Sequence, residues 1–199
     1  MGASERDHFL RAAWRVLVAQ EIDAERLVFV DEMGTNTSLA PLYAYSPTGQ
    51  RAHSKVPRNR GKNTTVLSSM SLEGMGPSLA VEGSTTGEVF EAYVEQVLAP
   101  TLGGGQVIVM DNLTAHKGDR VRQLIEERGA ELVYLPSYSP DFNPIEEAFS
   151  KIKGLVRKAE ARGREALVEV IGKALNAVSA RDAKAFFEHC GYHRAVQLL

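Results

Sequence analysis

The sequence predicts an α/β fold with a mixed central sheet, flanking helices and a helical C-terminal end. Three observations predict it. Two four-residue apolar runs, Leu27–Val30 and Val107–Met110, read as buried strands, and each is followed by an aspartate. Strand patterns come first at 64–71 and 78–82, and later strands alternate with helical patterns. Beyond Pro144 the periodicity is helical throughout.

Taken in order, residues 5–20 form an amphipathic helix, with Ser4 and Asp7 resembling a capping box. Phe9, Leu10, Ala13, Trp14 and Leu17 recur there at helical spacing, and residues 1–25 are expected to act as an N-terminal linker helix. Residues 33–62 contain Gly34, Pro41, Pro47, Gly49, Pro57 and Gly61, which predicts short strands and turns, with a hairpin turn at Ser46–Gly49. The strands 64–71 and 78–82 are expected to be joined by a turn at Gly74–Pro77. Residues 88–98 place Val89, Phe90, Tyr93, Val94 and Val97 on one helical face. After the strand at Val107–Met110 come a helix at 118–128 closed by Gly129, a strand at 131–135, and a loop punctuated by Pro136 and Pro140. Helices follow at 144–159, 165–179 and 182–190, and no second-domain linker interrupts 26–199.

The 199 residues are 44% hydrophobic and 24% charged, enough apolar material for a core, which excludes a disordered chain. Cys190 is the only cysteine, so no internal disulfide forms, and a reducing compartment is expected. The purest apolar runs are four residues long, too short to span a bilayer. Glu5, Arg6, Asp7, Arg11 and Arg15 break up the first segment, so no secretory leader is expected. The expectation is a cytoplasmic protein with no membrane partner. There is no Gly-x-Ser-x-Gly elbow, and Gly103–Gly105 precede a strand, which removes the α/β-hydrolase, P-loop and dinucleotide fingerprints.

The net charge of −2 conceals segregation. Residues 51–62 carry five Lys/Arg and no acid, residues 63–100 carry five acids and no Lys/Arg, and residues 151–199 carry ten Lys/Arg against five acids. Basic patches of this kind attract a polyanion.

Asp31 and Asp111 share one context, an apolar strand ending in a carboxylate, and ligands in α/β sheets bind beyond the carboxyl ends of strands. A third carboxylate comes from LPSYSPDFNPIEEAFSKIK, where Asn143 suits an N-cap and Pro144 the first helical position. Glu146 and Glu147 flank the apolar stripe of that helix on opposite sides, and helical geometry alone does not choose between them. Glu146 also falls where a carboxylate would bond back to the cap. Three carboxylates without a thiolate or histidine set suit a hard cation such as Mg²⁺. Paired ions of that kind stabilise both the attacking and the leaving oxygen in phosphodiester displacement. Arg58, Arg60 and Lys62 in the early basic loop, and Lys151, Lys153, Arg157 and Lys158 after Glu146, are candidates to hold phosphates. The pattern suggests a metal-dependent nuclease.

LVFVDE, VIVMDNLTAHK and YLPSYSPDFNPIEEAF, in that order, resemble the catalytic region of the IS630/Tc1/mariner superfamily of DDE transposases. The last stretch is similar to that family's SP-x-LNPIE-x-x-W signature, and 34 residues lie between Asp111 and Glu146, a spacing common in the superfamily. YAYSPTGQRA resembles the IS630-like pattern after the first aspartate. The resemblance implies an RNase H-like fold with Asp31, Asp111 and Glu146 as the catalytic, metal-holding triad, and by analogy it selects Glu146 over Glu147. It further implies two Mg²⁺ ions, with Mn²⁺ as a substitute, and supporting roles for Asn112 and His116. The implied activity is DNA strand cleavage followed by strand transfer, typically into TA targets, by a homodimer. Phe149 stands where the family usually has Trp, and Phe142 where it usually has Leu. The family's N-terminal helix-turn-helix reader has no counterpart in these residues, which fits a split reading frame, a truncated copy or a trimmed chain, and in the first case a separately encoded half is the expected partner. Two alternatives remain at this point: a non-catalytic remnant that associates with DNA, and a stand-alone RNase H-like nuclease.

Overall fold

One strand organises the protein in the computed structural model, which describes residues 7–41, 43, 45–51, 53, 61–113 and 116–194. This strand, β1 (Leu27–Thr35), is followed by β2 (Thr64–Ser71), β3 (Gly74–Glu82), β4 (Val107–Met110) and β5 (Glu131–Tyr134). They form one sheet in the order β3-β2-β1-β4-β5. The β1–β2 and β2–β3 pairs are antiparallel, while β1–β4 and β4–β5 are parallel. The helices are α1 (His8–Leu17), α2 (Gly87–Tyr93), α3 (Asp119–Glu126), α4 (Pro144–Ala159), α5 (Arg164–Asn176) and α6 (Ala180–His189).

Successive side chains of a strand point to opposite faces, so β1 feeds two cores. Leu27, Phe29 and Met33 enter one, packed against Trp14 of α1, Phe149 and Ile152 of α4, Ile171 of α5 and Phe187 of α6. Val28 and Val30 enter the other, against Phe90 and Tyr93 of α2 and Val121 and Ile125 of α3. The result is three layers, helix on sheet on helix. Helix α4 buries Ile145, Ala148, Phe149, Ile152 and Val156, the stripe its periodicity predicts. Phe142 and Phe149, the two departures from the family pattern, are both buried in the first core.

The first core extends to α1 through a relay. Trp14 Nε1 donates to the Tyr192 hydroxyl at 2.8 Å, and that hydroxyl donates to the Phe142 carbonyl at 2.7 Å. Arg11, buried, donates to Ser139 Oγ at 2.6 Å and pairs with Asp141. Cys190 is packed as a core residue, and burial pushes its thiol up to about 12.

Several boundaries differ from the sequence expectation. β1 does not stop at Val30: β2 pairs with it as far as Thr35, which carries the strand through Asp31. The β2–β3 turn is Leu72–Glu73 rather than Gly74–Pro77, with Ser71 opposite Gly74. Gly74, at φ 121°, opens the return strand, and Pro77 sits in an edge strand, where its missing N–H is tolerated. Residues 46–50 make a turn, Gln50 N–H to the Pro47 carbonyl at 3.0 Å, with Gly49 at positive φ. Among the described residues no strand flanks that turn, and residues 42, 44, 52 and 54–60, where hairpin arms would run, lie outside them. Helix α2 passes at Tyr93 into a π-helical turn over Val94–Leu98, so the expected 88–98 is helical throughout, with its register widened over the second half. Asp7, not Ser4, caps α1, accepting from the Phe9 and Leu10 amides; Ser4 lies outside the described residues. No described helix is long and apolar enough to cross a membrane.

Candidate active site

Strand alternation brings the candidate carboxylates together. Asp31 shares the parity of Leu27, Phe29 and Met33, so its side chain emerges on the α4 face. The parallel pairing of β1 with β4 ends at Val30 opposite Met110, so Asp31 and Asp111 follow side by side beyond it. Glu146 is in the first turn of α4, which packs on that face. One open cavity of about 410 Å³ is lined by all three, with Asn112, Asn143 and residues 135–140 completing the wall.

Each carboxylate is held differently. Asp31 is buried: its Oδ1 accepts the Glu32 amide at 2.7 Å, and its Oδ2 accepts Asn143 Nδ2 at 2.7 Å. Burial outweighs the Glu32 bond, and with the neighbouring Glu146 and Asp111 charges it pushes the Asp31 carboxyl up to about 7. Asp111 Oδ1 accepts the Leu113 amide at 3.3 Å and touches His116 Nδ1. That contact becomes an ion pair when His116 is protonated, but Nδ1 is not aligned as a hydrogen-bond donor. His116 is buried, its ring stacks on Phe90 at 4.0 Å, and its carbonyl accepts the Tyr134 hydroxyl. Asn112 Nδ2 donates to Ser137 Oγ at 3.1 Å, bridging the β4 end to the opposite wall.

Glu147 points elsewhere, pairing with His189 of α6, which raises the histidine's pKa. The Asn143 backbone amide, from which Glu146 would accept in a capping role, donates instead to the Pro140 carbonyl at 3.0 Å.

Three carboxylates line the cavity with no Lys or Arg among the lining residues. An all-oxygen, net-anionic donor set of this kind fits a hard divalent cation. The buried Asp31 carboxyl, whose charge nothing cationic in the lining offsets, fits the same requirement. Among the described residues no three acidic, histidine or cysteine side chains are already closed into a ligand cluster, so the set is gathered but not tightened.

The basic candidates divide. Lys153 and Arg157 follow Glu146 at i+7 and i+11, on one side of α4, about 10 and 16 Å along its axis. Lys151 lies on the other side, bonded to Asp182 of α6 at 2.7 Å. Lys62 pairs with Glu82 at 2.8 Å. Arg58 and Arg60 lie outside the described residues. The residue that sequence reasoning missed is Asn143, read as a cap because Asn before Pro at a helix start is a capping signal. Only the three-dimensional proximity of β1 reveals its bond to Asp31.

A mixed sheet of this strand order, with acidic side chains gathered where its central parallel pair ends, is the RNase H-like class. Solved structures of the Mos1 mariner transposase share the fold. Its paired-end complex with Mg superposes with a TM-score of 0.72 at 16% identity, over 96% of this chain and 62% of that one. Its paired-end complex with the left transposon end gives 0.70 at 18% identity, over 92% and 56%. Residues 26–168 match the family model described as DDE superfamily endonuclease, and the chain belongs to that family. Among curated relatives, the Tcb1 transposable-element transposase of Caenorhabditis briggsae is 29% identical over 126 residues, 59% of this chain and 46% of that protein. The Tcb2 transposase of the same organism is 27% identical over 108 residues, 52% and 40%. The chain thus spans less than half the length of these curated relatives.

Proposed function

We propose that this chain is the catalytic part of a Tc1/mariner-type, IS630-like transposase that cuts DNA phosphodiesters and joins the freed ends to target DNA. The observation that carries the reading is the cavity shared by Asp31, Asp111 and Glu146. These three would hold two divalent ions, Mg²⁺ or Mn²⁺ in its place. When bound, such ions neutralise charge on the attacking and leaving oxygens of an in-line displacement.

The chain's own residues do the rest. Asp31, held at both oxygens, presents its remaining lone pairs to the cavity in a fixed orientation. His116, immobilised by Phe90 and Tyr134, backs Asp111, and Asn112 fixes the wall through Ser137. Lys153 and Arg157, continuing the Glu146 side of α4, offer cations to successive phosphates of a DNA strand lying across the cavity. Lys62 and Lys151, already paired with acids, contribute less. Pairing of two transposon ends by a homodimer, a helix-turn-helix part that reads those ends, and TA targets belong to the same reading.

The test is nicking of supercoiled plasmid by the purified chain with Mg²⁺ or Mn²⁺, beside Asp111→Asn and Glu147→Gln. The parent and Glu147→Gln nick, and Asp111→Asn does not, because an amide of equal size cannot replace a metal-held carboxylate. Asp111→Asn cleaving as well as the parent sinks the triad assignment.

A further inference from the structure

Asn143 occupies the N-cap position of α4 yet makes no side-chain cap bond. Its side chain is turned across to the sheet instead, where Nδ2 donates to Asp31 Oδ2 at 2.7 Å in a buried contact. Its backbone carbonyl accepts the Glu146 amide at 3.1 Å. One residue therefore touches the strand that carries Asp31 and the helical turn that carries Glu146, and it lines the cavity between them. Its second amide atom, Oδ1, is buried with no partner among the described residues. A buried acceptor left unpaired is destabilising, so the side chain is not where packing or capping alone would put it.

We infer that Asn143 is a positioning residue: its amide clamps the Asp31 carboxylate and sets the span between Asp31 and Glu146. The inference rests on the proposed metal-dependent reading of the same cavity. The chemistry of the position favours an amide. Asp would set a second anion against Asp31, and Ser is one atom too short to reach across, although both cap helices as well as Asn does. A neutral donor at this length satisfies Oδ2 without competing for a cation. With the Glu32 amide on Oδ1, the two donors leave Asp31 one orientation.

The experiment titrates the full chain with Mn²⁺ alone by calorimetry, alongside its melting temperature. Asn143→Ser weakens Mn²⁺ binding about 10- to 100-fold, the loss typical when a partner that orients a metal ligand is removed. Tyr192→Phe is the control. It removes the hydrogen bond to the Phe142 carbonyl and loosens the same turn without touching Asp31, so it lowers the melting temperature and leaves Mn²⁺ affinity at the parent value. Asn143→Ala takes the place of the Ser variant should that one not fold by circular dichroism. Mn²⁺ affinity unchanged in the Asn143 variant overturns the inference, as does an equal loss in Tyr192→Phe, since any loosening would then suffice. A parent chain that takes up no Mn²⁺ overturns the metal reading itself, and this inference with it.

Discussion

Replacing Asp31 by Asn should stabilise the metal-free protein at neutral and alkaline pH. The Asp31 carboxyl is raised from 3.8 to about 7, chiefly by burial. The folded state therefore keeps this proton to higher pH than the unfolded chain does. Stability from this group is complete below about pH 4, falls as pH rises, and levels off above about pH 8. At about 1.4 kcal/mol for each tenfold change in proton affinity, the loss amounts to about 4 kcal/mol. Asn escapes it, being neutral throughout, and its Oδ1 can still accept from Asn143. Its NH₂ group, however, faces the Glu32 amide, and that lost bond costs about 1 kcal/mol. The net gain is about 3 kcal/mol at pH 8, shrinking to less than about 1 kcal/mol at pH 5. For a chain of this size that is about 6–12 °C in melting temperature at pH 8. Calorimetric melts in EDTA at both pH values read it directly, and divalent ions added at pH 8 should raise the parent's melting temperature but not the variant's. A variant that melts below the parent by the same margin at pH 5 and pH 8 would refute the claim that a buried charge strains the site.

Trp14→Phe removes the Nε1 donor to the Tyr192 hydroxyl and should cost about 1–2 kcal/mol in urea unfolding, with plasmid nicking retained. Lys153→Ala and Arg157→Ala should each weaken binding to duplex DNA and reduce the dependence of log affinity on log salt by about one, read by fluorescence anisotropy across a salt series. Lys151→Ala should change that slope little, because Asp182 already neutralises the ammonium.

The parts of this fold legible in the sequence are those governed by local pattern. The runs Leu27–Val30 and Val107–Met110 had to be buried strands, and the stripe Ile145 to Val156 had to be a buried helical face. Asp111 was legible because the residue after a strand's last pairing sits at the sheet's rim, whereas Asp31, read in the same strand-end context, lies inside β1. What stayed hidden depends on partners distant in sequence. β1 runs past Asp31 because β2 supplies hydrogen bonds as far as Thr35, and nothing in MGT announces that. Pro77 and its neighbouring glycines read as a turn, yet they form an edge strand, since only the sheet order decides which amides need a partner. Glu146 and Glu147 were equivalent by helical position until α6 drew Glu147 to His189. Asn143 was the hardest to read, because a cap and a clamp are written with the same letter.

The mixed pairing of β1 has a mechanical side. Asp31 sits in a strand stitched along one edge to β2 well beyond the carboxylate. Asp111 is the first residue after β4, and Glu146 rides on the opening turn of a helix. The cavity therefore resembles a vice with one fixed jaw. Hydrogen exchange should find the β1 amides slow whether or not ions are added, while protection changes at 111–113, His116 and 143–147. Any adjustment the site makes to its ligands is then a movement of loop and helix toward an immobile strand.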